Sequence, residues 1–427
     1  MQVHLEFLGC RLNEAEVASW KRQLVQQGHF FSGPEDADII VLNTCAVTGE
    51  ASKKSRQKLR RLHRKNPTAG LVVTGCYATL EPQKIAKNLD VNLVIPNNDK
   101  DNLVQKIVEH FALPVAPPMA IDPEAQPAFA QTRTRAFIKV QDGCHNRCSF
   151  CIVSKARGTE RSRTLAAVCT EIAHLQALGF QEVILTGVHL GGYGRDIGSS
   201  LPTLVRTVLE QTTIPRVRIG SLEPWELTDE FFALFSDPRL CPHLHLPIQS
   251  GSNSVLKRMI RKYTTAEYHN LVKKARAIAP HIQISTDLIV GFPGESEKEF
   301  AETVQTLHEI QFGDMHIFRY SPREGTAAAR LRNRIPKDLQ SKRFASVQSI
   351  KKESQKKFHE GMIGQIRSVL WERDAQKVDQ NLWLWKGYTD NYVRVETISS
   401  NPLFNQITPI RIDSHHQGSL MGSLLQM

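Results

Sequence analysis

The sequence predicts an α/β protein in three parts: an N-terminal domain with a parallel sheet, a central partial (β/α)6 barrel of the TIM type, and a small all-β barrel at the C-terminus. The first two parts are predicted by β-prone runs that alternate with amphipathic stretches, the pattern of βα units. The third is predicted by short strand-like runs separated by polar breaks.

Residues 1–111 contain four βα units. Their strand-like runs are QVHLEFLGC, ADIIVLNTC, GLVVTGCYA and VNLVIPN, and each precedes a helix-like stretch. Residues 112–130 then hold five prolines. So many prolines predict a semi-rigid linker between the first two domains.

Residues 131–360 resume the alternation with six strand-like runs: AFIKVQDG, QEVILTGV, RVRIGS, HLHLPIQ, IQISTDLIVGF and MHIFRYS. No glycine-rich dinucleotide motif follows these strands, so a barrel or partial barrel is favoured over a Rossmann sheet. A basic helix, 336–360, ends this part. The tail, 361–427, has four strand-like runs: IGQIRSVLWE, LWLWKGYTD, YVRVETIS and TPIRIDSHH.

Composition limits the class of protein. No apolar run approaches the ~20 residues needed to cross a bilayer, and the first ten residues carry Glu6 and no basic segment, so we expect a cytoplasmic protein without a membrane partner. The chain has eight cysteines. Because the cytosol keeps thiols reduced, these cysteines need a role other than disulfides.

The net charge of +11 is concentrated in three runs. Residues 51–65 and 330–357 each carry a net +8, and residues 133–163 carry +6, whereas the tail is neutral. One such run is typical of a solvated helix face. Three runs in one chain favour contacts with the phosphates of a nucleic acid.

Cys144, Cys148 and Cys151 follow the first barrel strand in QDGCHNRCSFC. A zinc site would need four ligands, commonly from two C-x2-C pairs, and ferredoxins space their cysteines differently. His145 is disfavoured as a fourth ligand because its neighbour Cys144 already occupies that corner. Reduced structural cysteines are the other alternative, but exposed low-pKa thiols oxidise easily. A 4Fe-4S cluster held by three thiolates would leave one iron open for a substrate, and it is the interpretation that the family resemblance described below favours.

Cys10, Cys45 and Cys76 form a second group, because each closes a strand, in FLGC, LNTC and VTGC. The carboxyl ends of parallel strands meet at one edge of a sheet, so the three thiols are predicted to bind a second cluster there. A single cysteine at such a place is usually a small buried hydrophobe. Cys169 and Cys241 lack this context and are predicted to be free thiols.

The C-x3-C-x2-C spacing at the start of a barrel resembles the radical S-adenosylmethionine enzymes. The resemblance implies that the open iron chelates S-adenosylmethionine, whose reductive cleavage gives a 5'-deoxyadenosyl radical. Phe150 is then expected to pack on the adenine, and three residues at successive strand ends are expected to contact the cofactor: Gly187, Glu223 and Gln249. Gly187 as a simple turn and Glu223 as a cap or salt-bridge partner are the alternatives.

Both cysteine groups in this order, followed by a small β domain, are similar to the methylthiotransferases. The matching motifs span essentially the whole chain: GCRLNEAE, NTCAVTGEASKKSR, TGCYA, QDGCHNRCSFCIVSKARGTERSR, DLIVGFPGES and GYTDNYVRV. The resemblance implies an auxiliary 4Fe-4S cluster in the N-terminal domain, a radical cluster in the barrel and a TRAM domain in the tail. It is closest to the branch that converts threonylcarbamoyl-adenosine at position 37 of tRNA into its 2-methylthio derivative.

The resemblance further implies two half-reactions: methylation of a sulfur on the auxiliary cluster, and radical removal of hydrogen from C2 of the adenine. The partners implied are the tRNA anticodon loop, with its base turned out, and an electron donor such as flavodoxin or ferredoxin, acting on a monomer. Six basic residues are predicted to contact RNA: Lys53, Lys54, Arg56, Arg157, Arg161 and Arg163. The three arginines are alternatively predicted to bind the cofactor's carboxylate.

Other functions remain open on the sequence alone. Neighbouring branches of the family modify isopentenyl-adenosine of tRNA or an aspartate of ribosomal protein S12. A non-catalytic RNA-binding protein that uses its clusters for redox sensing would also explain the cysteines and the charge. A zinc-bound RNA module is less favoured, for the spacing reason given above.

Overall fold

The computed structural model describes residues 1–88, 90–113, 134–416 and 418–425. From residue 114 onward, the predicted linker 112–130 lies outside the described residues. No helix in the described part of the chain is long and apolar enough to cross a membrane.

Contacts between residues divide the chain into two compact units. Unit 1 takes in 1–128, 142–161 and 321–329, so far as these are described, and unit 2 takes in 129–141, 162–320 and 330–427 in the same sense. The contacts therefore group the cysteine-bearing segment 142–161 with the N-terminal residues. The predicted domain limits at 111, 130 and 360 stay predictions.

Unit 1 contains the predicted parallel sheet. Its strands pair in the order β2-β1-β3-β4-β5, where β1 is Gln2–Phe7, β2 Phe30–Phe31, β3 Ile39–Thr44, β4 Gly70–Gly75 and β5 Leu93–Ile95. The helices of the same stretch are α1 (Arg11–Gln26), α2 (Gly49–Lys65), α3 (Cys76–Leu80), α4 (Pro82–Asn88) and α5 (Leu103–His110), and segment 142–161 adds α6 (Val153–Arg157).

Successive residues of the central strands enter different cores. Val41 and Val72 pack in one cluster with residues of α1 and α5, whereas Ile40, Leu42 and Val73 pack in another with residues of α2 and α3. Both faces of the sheet are therefore buried, as is usual for parallel sheets. This burial leaves the strand ends as the place for polar and reactive groups.

Unit 2 contains the barrel strands. In chain order the strands of this region are β6 (Arg135–Lys139), the short β7 (Gln141–Asp142) and β8 (Arg161–Ser162), β9 (Glu182–Thr186), β10 (Arg216–Ile219), β11 (His243–His245), β12 (Gln283–Val290) and β13 (Asp314–Arg319). Two parallel three-stranded sheets, β6-β9-β10 and β11-β12-β13, are joined by isolated bridges between Val217 and Leu240 and between Ser221 and His245. The predicted partial barrel of six strands is confirmed.

The barrel helices are α7 (Leu165–Ala177), α8 (Leu201–Gln211), α9 (Asp229–Ala233), α10 (Asn253–Arg258), α11 (Thr265–Ile278), α12 (Glu297–Ile310) and the long α13 (Lys337–Glu360). Helix α10 was not predicted. It is a short helix of six residues whose Val255 and Leu256 are buried.

The tail is the predicted closed barrel, with strand order β14-β15-β16-β18-β17. Its strands are β14 (Ile366–Asp379), β15 (Leu382–Thr389), β16 (Arg394–Ser399), β17 (Ile407–His416) and β18 (Ser419–Leu424). The fully buried Trp371 lies in its core and donates a hydrogen bond to Thr408 Oγ1 at 2.7 Å. Strand β18 was not predicted, because its serines and glycine have low β propensity.

His359, in the last turn of α13, is expected to make this region sensitive to acid. It is buried beside the His415 ring. Burial is the larger cause and the nearby His415 the smaller cause that lower the pKa of His359 from the ordinary 6.5 to about 4. The unfolded chain therefore binds a proton that the folded chain does not. We expect the free energy of unfolding to fall by up to about 1.4 kcal/mol per pH unit as the pH drops from 6.5 towards 4.

Urea unfolding at several pH values checks this. His359→Leu should make the free energy of unfolding depend less on pH between 6.5 and 4. His416 is exposed and lies in the same part of the chain, so His416→Gln should leave this pH dependence unchanged. Equal slopes for His359→Leu and the unsubstituted protein would contradict the assignment.

Candidate metal centres

The strand register brings the three N-terminal cysteines to one edge of the unit 1 sheet. Phe7 pairs with Asn43 and Thr44 with Gly75, so the residues after β1, β3 and β4 are neighbours. Cys10 precedes the first residue of α1, Cys45 follows β3, and Cys76 is the first residue of α3.

Two glycines allow the backbone to approach these cysteines. Gly9 has φ +102°, and a Cβ built on it would lie 2.6 Å from Cys45 Sγ. Gly75 has φ +99°, and a Cβ there would lie 2.3 Å from the Thr44 carbonyl oxygen. Both conformations favour glycine. Gly9 leaves the space next to Cys45 Sγ free of side-chain atoms, and Gly75 lets the chain pass close to the backbone of Thr44.

Asparagine side chains fix the loops that carry the thiols. Asn13 donates to the carbonyl oxygens of Leu8 and Thr44 at 2.6 and 3.3 Å, and its Oδ1 lies 3.9 Å from Cys10 Sγ. Asn97 Nδ2 lies 3.7 Å from Cys76 Sγ. The sequence analysis missed both asparagines; their only signal was an amide residue shortly after a strand end.

The thiols of this group influence one another. Burial raises the pKa of the Cys45 thiol, and the neighbouring Cys76 and Cys10 raise it further against the opposing effects of the Val47 backbone hydrogen bond and Arg157. Cys45 and Cys76 are buried, whereas Cys10 is exposed. A thiol becomes a thiolate when it ligates a metal, so these three side chains suit an iron–sulfur cluster that supplies positive charge.

The second group lies in a loop folded around another glycine. Gly143 has φ +77°, and a Cβ there would lie 1.8 Å from the Thr159 carbonyl oxygen. The backbone N–H groups of Asn146 and Val153 donate to Cys144 Sγ and Cys151 Sγ, each at 3.4 Å. Hydrogen bonds to sulfur are typical of iron–sulfur ligands, and these thiols are half-buried.

His145 points to another partner. Its side chain is 63% exposed, and its Nδ1 lies 3.3 Å from Glu160. The three thiols therefore stay the predicted donor set of this loop, and three thiolates would suit a cluster with one open iron.

The residues expected to contact S-adenosylmethionine lie where the sequence predicted them along the chain. Phe150 is half-buried in the cysteine loop of unit 1. In unit 2, Gly187 follows β9, Glu223 follows β10 and Gln249 follows β11, all beyond the carboxyl ends of barrel strands. Their role as cofactor contacts stays a prediction.

Each of these three unit 2 residues has a distinct local environment or backbone conformation. A Cβ on Gly187 would lie 2.9 Å from Gln141 Oε1. Glu223 accepts hydrogen bonds from the buried Arg261. Gln249 has φ +62°, a left-handed conformation that is uncommon for a residue other than glycine and often marks a functional site.

The six residues predicted to contact RNA differ in exposure. Lys53, Lys54 and Arg56 are exposed on α2. Arg161 and Arg163 are half-buried, with Arg161 3.7 Å from Asp142 and Arg163 bonded to Glu171. Their contacts with RNA stay predictions.

The prediction for Arg157 needs correction. Arg157 is 2% exposed, and its guanidinium is enclosed by Glu16, Asp142 and Asn13. The side chain therefore does not present its charge to a phosphate at the surface. The sequence analysis counted it within a basic run, which carries no information on burial.

The two remaining cysteines, Cys169 and Cys241, are buried, and their role as free thiols stays a prediction. Burial raises the pKa of Cys241 to about 12, and burial also raises that of Cys169. Cys169 lies within α7 and Cys241 lies just before β11, so neither shares the strand-end or loop position of the two groups above.

Comparisons with known proteins match the N-terminal and central parts of the chain to two different families. Residues 2–96 match the uncharacterized protein family UPF0004, and residues 138–307 match the radical SAM superfamily. The fold is similar to that of TsrM from Kitasatospora setae, a radical S-adenosylmethionine methyltransferase, with a TM-score of 0.56 over 77% of each chain at 14% identity.

Three curated relatives are similar over nearly their whole length. The threonylcarbamoyladenosine tRNA methylthiotransferases of Thermotoga maritima and Bacillus subtilis are 36% and 34% identical, over 93% and 95% of this chain and 92% of each relative. The tRNA-2-methylthio-N(6)-dimethylallyladenosine synthase of Ehrlichia canis is 31% identical over 98% of this chain and 99% of the relative.

Proposed function

Because this chain belongs to the methylthiotransferase family of radical S-adenosylmethionine enzymes, we propose that it methylthiolates C2 of N6-threonylcarbamoyladenosine at position 37 of tRNA. The proposal includes two 4Fe-4S clusters, a radical cluster at Cys144, Cys148 and Cys151 and an auxiliary cluster at Cys10, Cys45 and Cys76. A flavodoxin or ferredoxin as electron donor, a TRAM role for the tail and a cytoplasmic monomer complete it.

The observation that carries the proposal is the pair of three-thiol groups within unit 1. One group is ordered by strand register and the other by a tight loop, and neither includes the spare cysteines. The six thiols would hold the two clusters, and the clusters together with S-adenosylmethionine would supply a carbon-centred radical and a methylthio group. The chain's own contribution is to hold the thiols in place, through Gly9, Asn13 and Gly143.

RNA binding is supported by the exposed face of α2. The helix buries Ser52, Ser55, Leu59 and Leu62 on one side, whereas Lys53, Lys54 and Arg56 are exposed. Cations grouped on one face of a helix suit the phosphates of the anticodon stem-loop, and such binding weakens as salt rises.

The choice of threonylcarbamoyladenosine is supported by the relatives named for it, which are 33–36% identical, against 31–33% for relatives named for dimethylallyladenosine. An aspartate of ribosomal protein S12, which a neighbouring branch methylthiolates, is the remaining family substrate, and a non-catalytic cluster protein is the alternative from another class.

Nucleoside mass spectrometry tests the proposal. The chain is expressed in a host that lacks its own methylthiotransferases, and total tRNA is digested to nucleosides. We expect 2-methylthio-threonylcarbamoyladenosine with the active chain and none with the matched Cys148→Ala variant. A methylthio mark on isopentenyl-adenosine or on S12 alone would overturn the choice of substrate, and no mark on either RNA or protein would favour the non-catalytic alternative.

A further inference from the structure

Arg157 lies at the centre of a buried network of polar side chains in unit 1. Its guanidinium donates to Glu16 Oε1 at 2.6 Å, to Asn13 Oδ1 at 2.7 Å and to Asp142 Oδ2 at 3.2 Å. The side chains of Arg157, Glu16 and Asp142 are each 3% exposed or less. A charge buried this deeply is costly unless it is paired, so the network has a defined geometry.

The acceptors of Arg157 adjoin a cysteine of each group. Asn13 lies against Cys10 Sγ. Asp142 stands two residues before Cys144 and accepts the backbone N–H of Gly143 at 2.8 Å. One guanidinium therefore connects the segment of the auxiliary site with the start of the radical loop.

Ala156, the residue before Arg157 in α6, extends this connection. The carbonyl oxygen of Ala156 accepts a hydrogen bond from Asn97 Nδ2 at 2.7 Å, and the same amide nitrogen lies 3.7 Å from Cys76 Sγ. Residues 156 and 157 thus reach two of the three auxiliary thiols through one asparagine each.

The network also fixes the charge beside the auxiliary thiols. The second oxygen of Glu16 accepts from Lys100 Nζ at 2.6 Å and from Asn43 Nδ2 at 3.0 Å. Arg157 and Lys100 balance Glu16 and Asp142. The pKa of Arg157 is well above its ordinary value, because Glu16, Cys76, Asp142 and Cys10 outweigh burial, which lowers it. Arg157 and Lys100 are therefore the two buried cations of this network.

We propose that Arg157 is a positioning residue for the auxiliary cluster, and that its buried positive charge, balanced by Glu16, sets the reduction potential of that cluster. The inference rests on the proposed function, because it requires a cluster at Cys10, Cys45 and Cys76. Nearby charge and hydrogen bonding are among the factors that set the potential of an iron–sulfur cluster. A cation stabilises the reduced, more negative state, and an anion destabilises it.

The test is a redox titration of the auxiliary cluster in full-length protein that also carries Cys148→Ala. Electron paramagnetic resonance monitors the reduced cluster at each potential. In this background the irons bound belong to the auxiliary cluster. We expect Arg157→Gln to lower the potential and Glu16→Gln to raise it, each by about tenfold in the one-electron equilibrium constant, or about 59 mV. Arg157→Lys, which keeps the charge, should lie closer to the parent protein than Arg157→Gln does.

Potential shifts of opposite sign in Arg157→Gln and Glu16→Gln distinguish an effect of charge from general disruption of the site. Disruption would not depend on whether the charge removed is positive or negative. The matched control is Arg343→Gln, which removes a buried arginine paired with Glu295 in unit 2 and should leave the potential unchanged. If Arg157→Gln fails to fold, Glu16→Gln still provides the test, because Arg157 keeps Asp142 and Asn13.

Unchanged potentials, or shifts of the same sign, with the cluster present would overturn the inference and leave the proposed function intact. Absence of iron from the Cys148→Ala parent protein would instead overturn both, because the auxiliary cluster itself would be missing. Iron content measured on the same samples separates the two results.

Discussion

Cys148→Ala is expected to abolish 5'-deoxyadenosine formation, whereas Cys45→Ala is expected to spare it and to abolish methylthiolation. Cys148 is the central thiol of the loop whose Cys144 and Cys151 accept backbone hydrogen bonds. Cys45 belongs to the sheet-edge group, where Gly9 leaves room for its Sγ. Each substitution should also remove about four of about eight irons from anaerobically reconstituted protein. Chromatography of the nucleoside products and an iron assay provide the measurements.

Cys169→Ala is the matched control, since it removes a buried thiol on α7 that belongs to neither group. It should leave iron, deoxyadenosine and methylthiolation unchanged. If Cys45→Ala abolished deoxyadenosine formation and Cys148→Ala spared it, the roles of the two groups would be reversed. Binding of only about four irons by the unsubstituted protein would refute the second cluster.

Glu182→Ala is expected to cost about 3–5 kcal/mol of unfolding free energy, because it leaves a buried charge without its carboxylate. Glu182 is fully buried on β9 and bonds Arg218 through both oxygens at 2.8 and 3.1 Å. Burial raises its pKa, but Arg218, Arg135 and Arg216 outweigh burial and hold it below the ordinary value. Arg218 also donates to the Asp390 carbonyl oxygen at 2.9 Å, so the network includes the tail barrel. Urea unfolding followed by tryptophan fluorescence measures the loss.

Glu230→Ala is the control for this prediction. Glu230 pairs with Arg206 at 2.9 Å, but both side chains are more than 40% exposed, and such pairs contribute at most about 1 kcal/mol. Similar losses for the two variants would show that the buried carboxylate is not needed to stabilise unit 2.

The parallel sheet and the partial barrel were predictable because their strands are contiguous runs in the sequence. The group Cys10, Cys45 and Cys76 was predicted from strand ends alone, and the register of β1, β3 and β4 brings these residues to one edge. Local pattern is sufficient here, since a βα unit returns the chain to the same edge at each repeat.

Arg157 shows where such inference fails. Its sequence neighbours are basic, and a solvated or RNA-binding side chain was the natural expectation. Its burial depends on Glu16, 141 residues earlier in the chain, and no local pattern encodes a pairing over that distance. Asn97, which reaches Cys76 from 21 residues away, escaped notice for the same reason.

The composition of unit 1 from three separate stretches has a consequence for synthesis on the ribosome. Chains emerge N-terminus first, and domains usually fold as units while they emerge. The sheet strands of unit 1 leave the ribosome early, but Arg157 follows Glu16 only after 141 further residues, and residues 321–329 of the same unit come later still. Cys10, Cys45 and Cys76 are therefore translated well before their surroundings are complete. If they hold the proposed auxiliary cluster, a nascent chain would present these thiols to the machinery that delivers iron and sulfur before Arg157 joins Glu16 and Asn13.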